Sequence, residues 1–275
     1  MKTIYAIILV FLISVIFSTT ISAEEITEAN YLKVDQKIWG DYENCMEEIG
    51  IELKNNPEKR DSLLKVAKEL LNIASQKNIA TAIKYASVPS GLQRLFMVRL
   101  DMPKSQLKYV IATLPDSLGM NSYYRSIQQH IVTHQPEIGD KYIDLEFTNL
   151  AGKNVKLSSF IGKQILLISG GLSCMGDEGV KYLKDIYSKT SRKDFEIIIF
   201  CLCRKLSELK DIQNIYSCPF PLVSDMKNDQ SSLKILYGAQ STPTCFVIEK
   251  DGTLSYKNTG VRQSELNAII LGITK

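Results

Sequence analysis

The chain has no arginine-rich stripe and no run of basic residues interleaved with aromatics, and its net charge is only +3. That balance excludes the electrostatic footprint of a nucleic-acid binder. It has one tryptophan, Trp39, and two histidines, His130 and His134. It has six cysteines, Cys45, Cys174, Cys201, Cys203, Cys218 and Cys245, but no C-x-x-C pair, and Cys201 and Cys203 form only a C-x-C. None of these spacings fits a zinc site. His130 and His134 stand at i, i+4 in "HIVTH". The glutamate of H-E-x-x-H is missing there, so two solvated histidines near a helix end are expected and no metal or other cofactor is called for. No sequence repeat of fixed period is present. Hydrophobic residues make up 45% and charged residues 23%, which places the chain among globular proteins.

The first residues have the form of an export signal. Lys2 supplies a positive start, "IYAIILVFLISVIF" (4–17) an apolar stretch, and "STTISA" a cleavage zone ending at Ala23. The apolar stretch is shorter than the roughly 20 residues a spanning helix needs. Residues 1–23 therefore read as a signal peptide, with a soluble product in the periplasm and no membrane association after cleavage. No cysteine follows the apolar stretch, which argues against lipidation. Export into an oxidising compartment permits disulfides, and spacing alone does not choose among the pairings of six cysteines.

Residues 24–135 read as an all-α domain. "NPEKRDSLLKVAKELLNIASQ" (56–76) places apolar residues at 63, 64, 66, 67, 70, 71, 73 and 74, one face of a helix. "PKSQLKYVIATL" (103–114) opens on a proline suited to a first helical turn, and "VPSG" (88–91) and "LPDSLG" (114–119) read as breaks. Trp39 is expected to pack in a core or between domains, and Cys45 to be a small buried hydrophobe.

The pattern changes near residue 136. "YIDLEF" and "NVKL" flank "TNLAGK" as a hairpin, and "QILLIS" (164–169) is a buried strand. A helix over about 177–190 follows, then the strand "FEIIIFCLC" (195–203) and a helix over about 205–214. The turn "SCPFPLVSD" (217–225), a short helix, a hairpin across Asp251-Gly252 and a closing helix over 262–273 complete the chain. From "QILLIS" onward the expected order is β-α-β-α-β-β-α, an α/β mixed sheet with helices on both faces. In "SGGLSCMGDEG" (169–179), Cys174 sits between a buried strand and a helix, where helix-start N–H groups favour a thiolate.

Element order and motifs over 136–275 resemble a thioredoxin-like domain, and more narrowly the exported TlpA/ResA and AhpC/TSA-type thiol–disulfide oxidoreductases. "IGDKYIDLEFTNLAGKNVKLSSFIGKQILLIS" is similar to that family's entry segment, and "STPTCFVIEKDGTL" to its P-T-x-F-x-I-D-x-D-G segment. The resemblance implies a cis Pro243 facing the active site beside Thr242. It places Ser173 at the tryptophan of W-C-x-x-C, Cys174 at the nucleophile, and Asp177 at the resolving cysteine. With Trp39 the only tryptophan, the missing one has not slid to a neighbouring position. The implied activity is monothiol exchange with protein thiols or disulfides, completed by an external reductant. Asp177, with Glu178, sets negative charge against the Cys174 thiolate. Cys203, read as sharing a strand face with Cys201 at the edge beside "QILLIS", is the internal candidate for resolving Cys174. Cys245 is expected in the core and Cys218 exposed on a loop. Two alternatives stay open: a redox-inactive binding module, and a peroxiredoxin-like peroxidase. The latter is opposed by Gly171 and Leu167 at the threonine and proline of P-x-x-x-T-x-x-C; Arg262, a conceivable arginine, starts the last helix and reads as a surface residue.

Overall fold

The computed structural model describes residues 25–272, so the export-signal reading of residues 1–23 lies outside the described residues. The chain divides into two compact units, one ending at Ile127 and one beginning at Gln128.

The first unit is helical. Helix α1 (Glu28–Asn55) starts at Thr27, whose side chain accepts the Asn30 N–H at 3.2 Å, an N-cap that satisfies one orphan donor. Helix α2 (Arg60–Lys84) packs Leu63, Val66 and Leu70 against Cys45 and Ile49 of α1, so Cys45 is the buried apolar residue expected of it. Trp39 is half-buried in α1, edge-on to Tyr42 at 5.9 Å. Helices α3 (Pro89–Met97) and α4 (Lys104–Ala112) follow, and α5 (Ser122–Val132) begins in this unit and ends in the second. "VPSG" is only half a break: Pro89 occupies the first turn of α3, where its missing N–H costs nothing.

The second unit is built on a seven-stranded sheet in the order β2-β1-β5-β4-β3-β6-β7. Its strands are β1 (Glu146–Asn149), β2 (Asn154–Lys156), β3 (Gln164–Ser169), β4 (Phe195–Phe200), β5 (Leu222–Ser224), β6 (Thr244–Ile248) and β7 (Leu254–Thr259). Its helices are α6 (Gly176–Lys189), α7 (Leu206–Tyr216), α8 (Ser232–Leu236) and α9 (Gln263–Leu271). Central β3 pairs parallel with β4 and antiparallel with β6. Both its faces are covered, which is why "QILLIS" reads as a continuous apolar run and not an alternation. Leu166 and Ile168 face Leu183 and Ile186 of α6, Leu209 of α7 and Leu266 of α9. Ile165 and Leu167 face the opposite core, with Leu233 of α8, Tyr237 and Phe246. This is the thioredoxin-like α/β arrangement expected, with one strand more.

That strand is β5, inside the segment read as a turn. It pairs parallel with β4 through Ile199↔Leu222 and antiparallel with β1 through Thr148↔Ser224, joining the entry hairpin to the sheet. Strand β4 also ends sooner than "FEIIIFCLC" suggested. After Phe200, the Cys203 N–H turns back to the Cys201 carbonyl at 3.1 Å and to Ser224 Oγ at 3.3 Å. The two cysteines therefore lie beyond the strand and not on a shared strand face.

Candidate functional site

The end of β3 leads through Gly170 and Gly171 into a single 3₁₀ turn, Leu172–Met175, which carries Cys174. Cys174 is therefore one residue before the Met175 cap of α6, and not in that helix's first turn. The break falls at Gly176, whose φ of 64° and ψ of 177° suit glycine alone. Asp177 and Glu178 occupy the first turn of α6, both exposed.

Cys174 is the exposed cysteine; the other five are buried and free. Its Sγ lies 3.6 Å from Thr242 Oγ1, a contact spanning 68 residues in sequence. The Thr242–Pro243 peptide is cis, as the family pattern implies. Pro243 is buried, and its carbonyl accepts the Gly260 N–H at 2.8 Å. Ser173 is exposed on the same 3₁₀ turn as Cys174. The fold thus brings Cys174, after the end of β3, to Thr242, before the start of β6; Ser173 and Asp177 neighbour Cys174 along the chain, and Pro243 neighbours Thr242.

Cys203 is buried in the core between the sheet and α6, with Cys201, Cys218 and Cys245. Cys218 corrects the expectation of an exposed loop thiol. Ser217 takes a left-handed φ of 47° that ends α7, and Cys218 is left only 6% exposed beside Phe220. Cys245, fully buried, meets its expectation. Burial raises the Cys203 and Cys218 thiols to about 11 and Cys245 to about 12, and it also raises Cys201, because desolvation opposes a thiolate.

These raised thiols carry a stability consequence. From the ordinary 9.0 upward the unfolded chain loses thiol protons that the folded chain keeps. The folded state then binds more protons, so stability falls with rising pH. Thermal melts are expected to be flat in this contribution below about pH 9 and to decline toward pH 11 to 12. Replacing Cys245 with alanine should flatten that decline; an unchanged slope would show that other groups set it.

The histidine pair also divides. His130 is buried at 2% exposure, with its Nδ1 3.1 Å from Gln135 Nε2. His134 is exposed and its Nε2 lies 2.9 Å from Asp140 Oδ2. The expectation of two solvated histidines therefore holds for one. Among the described residues no group of three or more His, Cys, Asp or Glu is arranged to hold a metal ion. Sequence reading missed Gly170, whose relation to Thr242 exists only in the folded chain.

Residues 138–257, the segment carrying this thiol, the entry hairpin and the cis proline, match the AhpC/TSA family. The second unit is an AhpC/TSA domain. Curated relatives of this chain include the thiol-disulfide oxidoreductase ResA of Bacillus cereus (strain ATCC 10987 / NRS 248), 26% identical over 168 residues that cover 60% of this chain and 94% of the relative. ResA of Bacillus anthracis is 29% identical over 132 residues, covering 47% and 73%. These likenesses place the AhpC/TSA domain with the TlpA/ResA type. Among solved structures, a thiol-disulfide oxidoreductase from Bacteroides fragilis aligns at 15% identity and a TM-score of 0.43, covering 48% of this chain and 99% of that one. A thiol peroxidase from Chromobacterium violaceum aligns at 14% and 0.40, covering 51% and 90%.

Proposed function

We propose that the protein is an exported thiol–disulfide oxidoreductase that works through a single thiol, Cys174. The observation that carries this reading is the exposed Cys174 Sγ held 3.6 Å from Thr242 Oγ1, with an aspartate where a dithiol enzyme keeps its second cysteine. The Cys174 thiolate attacks one sulfur of a protein disulfide. The substrate S–S bond breaks, an S–S bond from Cys174 to the substrate forms, and the other substrate sulfur leaves with the electron pair and takes a proton from water. An external thiol then attacks the mixed disulfide and returns Cys174 to its reduced form. A second external thiol completes the two-electron reduction.

Thr242 and Pro243 form the rim against which the substrate chain lies, with Ser173 beside the thiol. Asp177 opposes the thiolate by its charge and offsets part of the helix-end effect. Cys203 as an internal resolving thiol requires that the core around it open, since it is 1% exposed. Leu167, at the position of the peroxidase proline, is fully buried within β3, which counts against peroxide chemistry. Export to the periplasm rests on the form of residues 1–23; among the described residues no helix is long and apolar enough to cross a membrane.

A second reading, a redox-silent peptide-binding module, draws on the missing tryptophan and second cysteine. Insulin reduction driven by excess glutathione separates the two. Turnover above the uncatalysed rate that disappears in Cys174→Ser supports exchange. Equal rates with and without the protein favour the binding module.

A further inference from the structure

The close approach of Thr242 to Gly170 is the structural feature that extends this reading, on which the inference rests. Gly170 has a φ of +105°. A Cβ placed on it would lie 2.4 Å from Thr242 Cβ, 2.5 Å from Thr242 Cγ2 and 3.2 Å from Thr242 Cα. Thr242 therefore occupies the volume that any other residue at 170 would need for its side chain.

Neither backbone is free to give way. The Gly170 N–H donates to the Phe200 carbonyl at 3.0 Å, continuing the β3–β4 ladder. On the other side, β6 is registered to β3 through Ser169↔Thr244, the Thr244 hydroxyl donates to the Ser241 carbonyl at 2.6 Å, and Gly260 holds the Pro243 carbonyl at 2.8 Å. With both ends anchored, the Thr242 side chain is the part left to adjust. Its Cγ2 methyl lies 2.5 Å from where a Gly170 Cβ would stand, while its Oγ1 lies 3.6 Å from Cys174 Sγ. The methyl fixes the rotamer, and the rotamer aims the hydroxyl.

We infer that Gly170 is a positioning residue for the reactive thiol: by lacking a Cβ it seats the Thr242 methyl and so directs the Thr242 hydroxyl at Cys174. A hydroxyl placed there donates to the thiolate and favours it over the thiol. The charged groups beside the thiol in sequence, Asp177 and Glu178 on α6, are common to every variant below and cancel in the comparison.

The test is the pH dependence of iodoacetamide alkylation of Cys174 in the full chain, for wild type, Thr242→Val, Gly170→Ala, the double variant and Thr242→Ser. Thr242→Val keeps the shape and deletes the hydroxyl. It should raise the alkylation midpoint by about half a pH unit and slow the reaction at neutral pH about threefold. Gly170→Ala should raise it in the same direction, and adding Gly170→Ala to Thr242→Val should add nothing, because the hydroxyl through which Gly170 acts is already gone. Thr242→Ser keeps the hydroxyl but loses the seated methyl, so its midpoint should fall between wild type and Thr242→Val. That variant decides the matter if Gly170→Ala does not fold. The inference is overturned if Gly170→Ala leaves the midpoint in place, if it shifts the midpoint equally in both backgrounds, or if Thr242→Ser matches wild type. Alkylation requires no disulfide chemistry. A chain that shows the predicted coupling but exchanges no disulfides keeps Gly170 as a positioning residue and loses only the exchange reading.

Discussion

Cys174→Ser is expected to leave the folded protein without a rapidly titrating thiol. Of the six cysteines, Cys174 is exposed, and Cys45, Cys201, Cys203, Cys218 and Cys245 are buried and free. An aromatic disulfide reagent added at neutral pH should therefore give one fast equivalent with wild type and none with the variant. In denaturant the counts should rise to six and five, since every cysteine is then accessible. The effect is all or none because burial both shields the remaining sulfurs and raises their thiols. A second fast equivalent in folded wild type, lost in Cys203→Ala, would show that the core between α6 and the sheet opens readily. It would also strengthen Cys203 as a resolving thiol.

The second large effect is a gain. Asp177→Cys places a thiol on the first turn of α6, three residues after Cys174, at the spacing of a dithiol site. The mixed disulfide that wild type holds until an external thiol arrives should then resolve within the chain, ending as an intramolecular disulfide. With a peptide disulfide as substrate and no small thiol present, the variant should release reduced peptide while wild type retains it as an adduct. The substitution also removes a negative charge near Cys174, so the adduct should form faster as well. Asp177→Asn serves as the control: it should speed adduct formation without releasing it. If Asp177→Cys retains its adduct as wild type does, the break at Gly176 holds position 177 out of reach of the bound sulfur.

Much of this architecture is readable from the chain before folding. Strand β3 announces itself as an apolar run between glycines, and α6 as Val180, Leu183 and Ile186 on one face. The hairpin across Asp251-Gly252 carries a standard turn signal. The position of Cys174 follows from the strand and helix around it. Strand β5 does not show, because three residues set among the prolines of "SCPFPLVSD" are too short for any periodicity, and their pairing with β4 and β1 is tertiary. The burial of Cys218 depends on a left-handed Ser217 and the Phe220 contact, neither of which spacing reveals. His130 and His134 share a spacing but not an environment: one is enclosed and the other open to solvent. The nearness of Gly170 to Thr242 joins residues brought together only by the β3–β6 pairing.

The central claim, that one thiol captures a disulfide and waits for an external reductant, is tested most directly by intact mass. Reduced, folded wild-type protein is mixed with a peptide disulfide in the absence of small thiols and quenched in acid over time. The account predicts one half-peptide per chain, located on Cys174 by digestion, persisting through the time course and removed on addition of glutathione. A chain that gains no mass while a denatured sample does, or an adduct that forms and disappears without added thiol, would contradict it.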